Sequence, residues 1–173
     1  LFTFNIPKNP FDGLMGVSVP MVRIRIEGFN EISEGPMLFT HWGLSGPAVL
    51  KMSSLAARFL AEKQYEFRVG INFIPAMNEE QIRQLLLSNK VILKEKKIIN
   101  SVIAALPSRL WERLVELSGI SKELKWGEVS NTLFNKLASN ISNSLIEVKG
   151  KTTFKEEFVT CGGVALKEIN MST

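Results

Sequence analysis

The chain has 173 residues, 45% of them hydrophobic and 22% charged, with a formal net charge of +4. That is enough apolar material to bury a real core as one domain, or one domain with a sizeable insertion. No apolar run is long enough to read as a membrane-spanning helix, and one cysteine with one histidine excludes an internal disulfide and argues against thiolate, zinc or iron centres. Thirteen Lys and Arg residues stand against eight acids between positions 78 and 155, so the basic character sits in the middle. Such a stretch is either a surface for nucleic acid or another anion, or an ordinary solvated helical face.

The start, "LFTFNIPKNP", lacks the basic-then-apolar layout of a signal peptide and does not begin with Met, so it reads as the interior of a longer protein. From Leu14 to Phe39 the texture is that of strands. In "GVSVPMVRIRIEGF" Val22, Ile24 and Ile26 alternate with Arg23, Arg25 and Glu27, the period of a half-buried strand. The Glu31–Gly35 segment is turn-rich, and "PMLFT" is a short apolar strand. "GPAVLKMSSLAARFLAEK" has apolar residues at helical spacing, with proline at its first turn. "YEFRVGINFIP" returns to strand, placing Phe67, Val69, Ile71 and Phe73 on one face.

At Pro75 the texture changes. "NEEQIRQLLLSN" is a helix capped by Asn78 with two acids in its first turn; Leu85-Leu86-Leu87 is wider than one amphipathic stripe and suggests a second buried face, such as self-association would supply. "KEKKIINSVIAAL" reads as a second helix ending before Pro107. "PSRLWERLVELSG" is a third, with Leu110, Leu114 and Leu117 on one stripe and Gly119 closing it. "SNTLFNKLASNIS" is a fourth, with Leu133, Phe134, Leu137 and Ile141 inward. From Ser144 strands resume, and Cys161 reads as a small buried residue on one of them. The expected class is α+β: a β-barrel-like body of mostly antiparallel strands with one helix of its own (1–77 and 144–173), carrying an inserted helical bundle (78–143).

Two stretches stand out chemically. In "THWGLSGP", Thr40 to Pro47, a strand passes into a helix, a junction that aims backbone N–H groups at whatever lies beyond. Gly43 and Gly46 permit a close approach, Ser45 is a credible cap for the helix opened by Pro47, and His41 can donate, accept or change charge. The residues alone leave two readings open, an anion or electron-rich-ring site and a tight structural turn. "GLSGPA" is not a dinucleotide fingerprint, and Ser45 lacks the setting of a hydrolase nucleophile. In "VTCGGVALKEI" the Gly162–Gly163 pair inside a strand-like run marks either a bulge where something passes close or a hairpin turn.

Taken together, "GPMLFTHWGLSGPAVL", "LPSRLWERLVELSGI" and "FVTCGGVALKEINMST", in that order, resemble a bacterial flavoprotein family, the NAD(P)/FAD-dependent oxidoreductases with BaiN-like and aminoacetone-oxidase-like members. The likeness covers nearly the whole chain. It implies an insert domain of a cytoplasmic FAD-dependent oxidoreductase that covers substrate, without the Rossmann segments that bind FAD. It implies as partners the FAD-binding domain of the same polypeptide, a small-molecule substrate and NAD(P)H, with no membrane and no main role for nucleic acid. Thr40, Gly43, Ser45, Gly46, Thr160, Gly162 and Gly163 would then face the flavin or the domain junction, with His41 as proton donor or hydrogen-bond partner to substrate. FAD would belong to the intact protein and not to this chain alone, and no metal is expected. The alternative is a nucleic-acid- or protein-binding module using Arg83, Lys90, Lys94, Lys96, Lys97, Arg109 and Arg113 of the helical section.

Overall fold

The computed structural model describes residues 1–150. Six strands, β1 (Phe4–Asn5), β2 (Ser18–Ile26), β3 (Ile32–Phe39), β4 (Gly43–Ser45), β5 (Glu66–Asn72) and β6 (Ser144–Lys149), form one antiparallel sheet in the order β1-β4-β3-β2-β5-β6. The sheet curls into a nearly closed barrel, whose two edges are linked where Asn5 Nδ2 donates to the Lys149 carbonyl at 2.9 Å. The expected α+β class is borne out.

Alternation decides which face of each strand turns inward. Val22, Ile24 and Ile26 of β2 are buried while Arg25 is exposed, and Val69 and Ile71 of β5 stand opposite Ile26 and Ile24. A register shift between Val19 and Val22 puts Pro20 and Met21 both outside, the local slip a β-bulge produces. Helix α1 (Pro47–Leu55) packs on β3 and buries Ala48, Val49 and Met52. The single helix expected here breaks at Ala56 into α1 and α2 (Ala57–Glu62). The Glu31–Gly35 segment, expected as a turn, lies largely within β3: Glu34 and Ser33 pair with Arg23 and Ile24, and the ladder overrides the turn-forming composition.

Between β5 and β6 the chain is helical: α3 (Glu79–Ile92), α4 (Ser108–Leu117) and α5 (Asn131–Ser142). Asn78 caps α3 reciprocally with Gln81, each side chain accepting the other's backbone N–H at 2.8 and 2.9 Å. Leu86 is buried, and Leu85 and Leu87 pack against the same core, so this wide apolar face is taken up within the chain. Trp126 lies between Trp111 and Phe134, with ring centroids 6.1 and 5.8 Å away, all three fully buried.

The helix expected over "KEKKIINSVIAAL" does not form; only a 3-10 turn at Ile98–Asn100 is present. Cross-chain pairing wins there. The Lys96 and Lys94 carbonyls accept the N–H groups of Trp126 and Gly127, the Leu124 carbonyl accepts from Ile98, and Trp111 Nε1 donates to the Ile98 carbonyl at 2.9 Å. The β-branched residues Ile98, Ile99, Val102 and Ile103 weaken the competing helix further.

Candidate functional site

Strands β3 and β4 are joined by a tight turn whose tip is His41-Trp42. Thr40 N–H donates to the Gly43 carbonyl at 2.9 Å, and Gly43 N–H donates to Thr40 Oγ1 at 3.1 Å. The N-terminal segment fastens the tip from one side: Ile6 N–H donates to the Trp42 carbonyl at 2.8 Å, and Trp42 Nε1 to Thr3 Oγ1 at 3.1 Å. His41 stays exposed, and its ring makes no hydrogen bond among the described residues.

The motif glycines meet the chain itself. Gly43 has φ +151°, and a Cβ there would fall well inside 3.0 Å of the Phe4 carbonyl oxygen in β1. Gly46 has φ +98°, with Pro36, Met37 and Leu38 of β3 all 3.1 Å from where its Cβ would stand. The close approaches read from the sequence are therefore approaches of β1 and β3. Ser45 is not the helix cap expected of it: it ends β4 opposite Leu38, Gly46 holds the N-cap position, and no side chain caps α1. Pro47 does open the helix. Thr160, Gly162 and Gly163 lie outside the described residues.

Beside the tip is a cleft of about 250 Å³, lined among others by Asn9, Asp12, Met15, Thr40, His41 and Arg109. It joins two parts of the fold that the sequence treats separately. Arg109 and Arg113 stand four apart on α4, hence on one face, and both reach the loop beneath His41: Arg109 Nη2 donates to the Gly13 carbonyl and Arg113 Nε to the Pro10 carbonyl at 2.7 Å. The sequence shows the i, i+4 spacing of the two arginines but nothing that ties them to the 10–13 loop.

The other cations of the helical section are largely tied down. Arg83 binds Glu80 at 2.6 Å, Lys125 binds Glu95 at 2.8 Å, Lys97 binds Glu123, and Lys122 bridges Glu112 and Glu116. Lys90 Nζ donates to the Val129 carbonyl at 2.7 Å. The hydrogen bonds from Arg83 and then Gln84 hold the Glu80 carboxyl down to about 2. Lys122 lowers Glu116, and Lys125 lowers Glu95, by the same cause. Lys94 and Lys96 alone among the seven candidate residues have neither an ion pair nor a hydrogen bond of the side chain among the described residues. A continuous basic face is therefore not what this section presents. Arg109, like Lys90, has a carbonyl partner that fixes its geometry without cancelling its charge, and of the two only Arg109 lines the cleft beside His41.

The fold and the two-part cleft define an α+β barrel with a helical section set between its last two strands. Residues 1–159 match the model for the HI0933-like protein barrel and H2TH domain, and the chain belongs to that family. Over 161 residues it is 34% identical to the ribosomal RNA dihydrouridine synthase of Escherichia coli, spanning 92% of this chain and 37% of that protein. It is 28% identical to the protein of that name from Haemophilus influenzae over 99% of this chain and 40% of the other. It is 25% identical to the 3-dehydro-bile acid delta(4,6)-reductase of Clostridium scindens, over all of this chain and 42% of that protein. The chain thus spans about two-fifths of the length of these relatives. The flavoprotein-oxidoreductase resemblance read from the motifs is borne out, and relatives named for ribosomal RNA widen the partners to consider beyond small molecules.

Among the described residues, the Thr40–Pro47 corner opens no cradle of FAD size. The space over Gly43 is filled by β1, Gly46 is pressed on β3, and the cleft is below the roughly 300 Å³ at which small-molecule sites begin. In this corner His41 is exposed, and Thr40 and Ser45 are half-buried.

Proposed function

We propose that this chain is the substrate-covering domain of an FAD-dependent reductase that saturates a ring carbon–carbon double bond conjugated to a carbonyl, with uridine in ribosomal RNA as the favoured substrate. Both kinds of relative are named for the addition of hydrogen to such a ring, and the higher identity lies with the RNA-directed ones. The single observation that carries the reading is the placement of Thr40 and His41 on an exposed tip, sharing one cleft with Arg109 of α4. The barrel (1–77 and 144–173) would present the tip and the helical section (78–143) would close over the substrate.

Bound FAD would supply the hydride; NAD(P)H would supply the electrons. Adding two hydrogens across a uracil 5,6 bond takes one hydride and one proton, and His41 is the residue proposed to hold that proton or bond the ring carbonyl. Thr40, Gly43, Ser45 and Gly46 would form the wall on the flavin side, with water excluded by closure; Thr160, Gly162 and Gly163 are proposed near the domain junction.

The test is the full-length protein, purified and scanned for flavin absorbance, then incubated with NADPH and undermodified ribosomal RNA. Dihydrouridine formation that falls at least tenfold in His41→Ala, with flavin content unchanged, supports the reading. Undiminished turnover in that variant refutes the role of His41, and reduction of a steroid enone but not of RNA refutes the substrate. The 173-residue chain alone is expected to bind no FAD; sub-micromolar binding in a titration would overturn the division of labour.

A further inference from the structure

The cleft beside His41 gathers several donors against a single acid. Asn9 Oδ1 is occupied by Phe11 N–H at 2.9 Å, which leaves its amide NH₂ to donate; Thr40 Oγ1 is occupied by Gly43 N–H, which leaves its O–H to donate. Arg109 spends one N–H on the Gly13 carbonyl and has four others. Against these stands one acid, Asp12, with one oxygen already accepting Gly13 N–H at 2.9 Å. In the larger groove at the other end of the barrel, about 750 Å³, two arginines, Arg23 and Arg25, stand against two acids, Glu27 and Glu79, and Arg23 pairs with Glu34 at 2.5 Å. A site with several donors, a guanidinium that makes no ion pair among the described residues and a single carboxylate suits an oxyanion.

We infer that this cleft is a phosphate-binding site, taking a phosphodiester of a polynucleotide beside the reacting nucleotide, with Arg109 as its principal ligand and Asn9 and Thr40 as secondary donors. The oxyanion chemistry stands on the geometry; its assignment to a polynucleotide rests on the function proposed above. The loop bond from Arg109 to Gly13 holds the guanidinium in place before the ligand arrives, which lowers the ordering cost of binding. Asp12 sets a limit on affinity, since its carboxylate faces the same space.

The experiment measures binding of a single-stranded hexauridylate RNA to the 173-residue chain at several salt concentrations, without flavin or reductant, with inorganic phosphate and NADP⁺ as separate probes. Arg109→Gln is expected to weaken RNA binding about tenfold at low salt and to reduce the slope of log K against log salt by roughly 0.7, the loss of one phosphate contact. Asp12→Asn, which leaves the arginine untouched, is expected to tighten it. His41 is the only histidine, so its ring resonances should move with RNA in the parent and stay still in Arg109→Gln. Equal RNA binding in the parent and Arg109→Gln, with both folded by circular dichroism, overturns the site. Arg109-dependent binding of NADP⁺ or free phosphate as tight as that of RNA overturns the polynucleotide source. If these variants behave as expected while the full-length protein makes no dihydrouridine, the reductase reading fails and the phosphate site stands; if dihydrouridine forms undiminished in Arg109→Gln, the reverse holds.

Discussion

Gly43→Ala is expected to be the most damaging single-methyl change in the Thr40–Pro47 corner, and for reasons internal to the fold. At φ +151° an L-residue is strained by about 1 to 3 kcal/mol. The new Cβ would overlap the Phe4 carbonyl oxygen and press on Ile6 N and Cγ1 at 3.1 and 3.0 Å, and two of those three atoms are backbone. β1 cannot retreat without giving up the Ile6–Trp42 backbone bond and the Trp42–Thr3 bond. Overpacking adds about 1 to 3 kcal/mol and a lost hydrogen bond about 1. The total is about 3 to 7 kcal/mol, a fall in Tm of roughly 6–28 °C for a chain of this length. Gly13→Ala is the control: its φ is +85°, but nothing lies within 4 Å, so it should cost only the strain. Urea and thermal unfolding, followed by circular dichroism and tryptophan fluorescence, would rank the two. If Gly43→Ala proves no worse than Gly13→Ala, the claim that β1 fills this space is wrong, and the glycine is kept for something outside the described fold.

Three other outcomes follow from the helical section. Trp111→Phe should destabilise by about 1 kcal/mol more than Trp126→Phe in urea unfolding, because it leaves the Ile98 carbonyl with only the longer bond from Ser101 N–H at 3.3 Å, whereas Trp126 Nε1 has no partner to lose among the described residues; equal losses would refute this. Asn78→Ala should cost about 1 kcal/mol and Asn78→Ser much less, since serine restores an acceptor for Gln81 N–H; equal unfolding midpoints for the two would show the cap to be idle. Glu80 has its folded pKa lowered from 4.5 to about 2, so its contribution to stability is present above pH 4.5 and lost as pH falls toward 2. Carboxyl NMR should see it titrate near 2 in the parent and move toward the ordinary range in Arg83→Ala, and a parent value near 4.5 would sink the assignment.

The sequence made the regular elements legible wherever local pattern and tertiary burial agree. The alternation through Val22, Ile24 and Ile26 marks β2, and the stripes through Leu110 and Leu114 and through Phe134, Leu137 and Ile141 mark α4 and α5. It was misleading where the deciding partner is remote. "KEKKIINSVIAAL" has helical spacing, but its carbonyls are claimed by Trp126 and Gly127. Residues 31–35 have turn composition, but Ser33 and Glu34 are claimed by β2. β1 and β4, two and three residues long, carry too little pattern to announce themselves and exist because each completes the other's ladder. The His41 tip was legible as chemistry. Its companion Arg109 was not, because 68 positions of sequence separate them and only the packing of α4 on the 10–13 loop brings them together.

A glycine-rich turn before a helix invites the reading that its backbone is kept bare for a ligand. Here the conformational demands of Gly43 and Gly46 are met by β1 and β3, and Trp42 is spent on Thr3 and Ile6. Those residues would be required even if the chain bound nothing. His41 is the exception: an exposed imidazole, held at a fixed place by bonds on either side, that contributes no hydrogen bond to the described fold. The turn is rigid because its neighbours are structural, and rigidity is what a proton-handling side chain needs in order to meet a substrate at a defined distance. The separation of roles within eight residues directs the functional reading away from the glycines and onto His41, with Arg109 across the cleft as the one fixed cation placed to share a ligand with it.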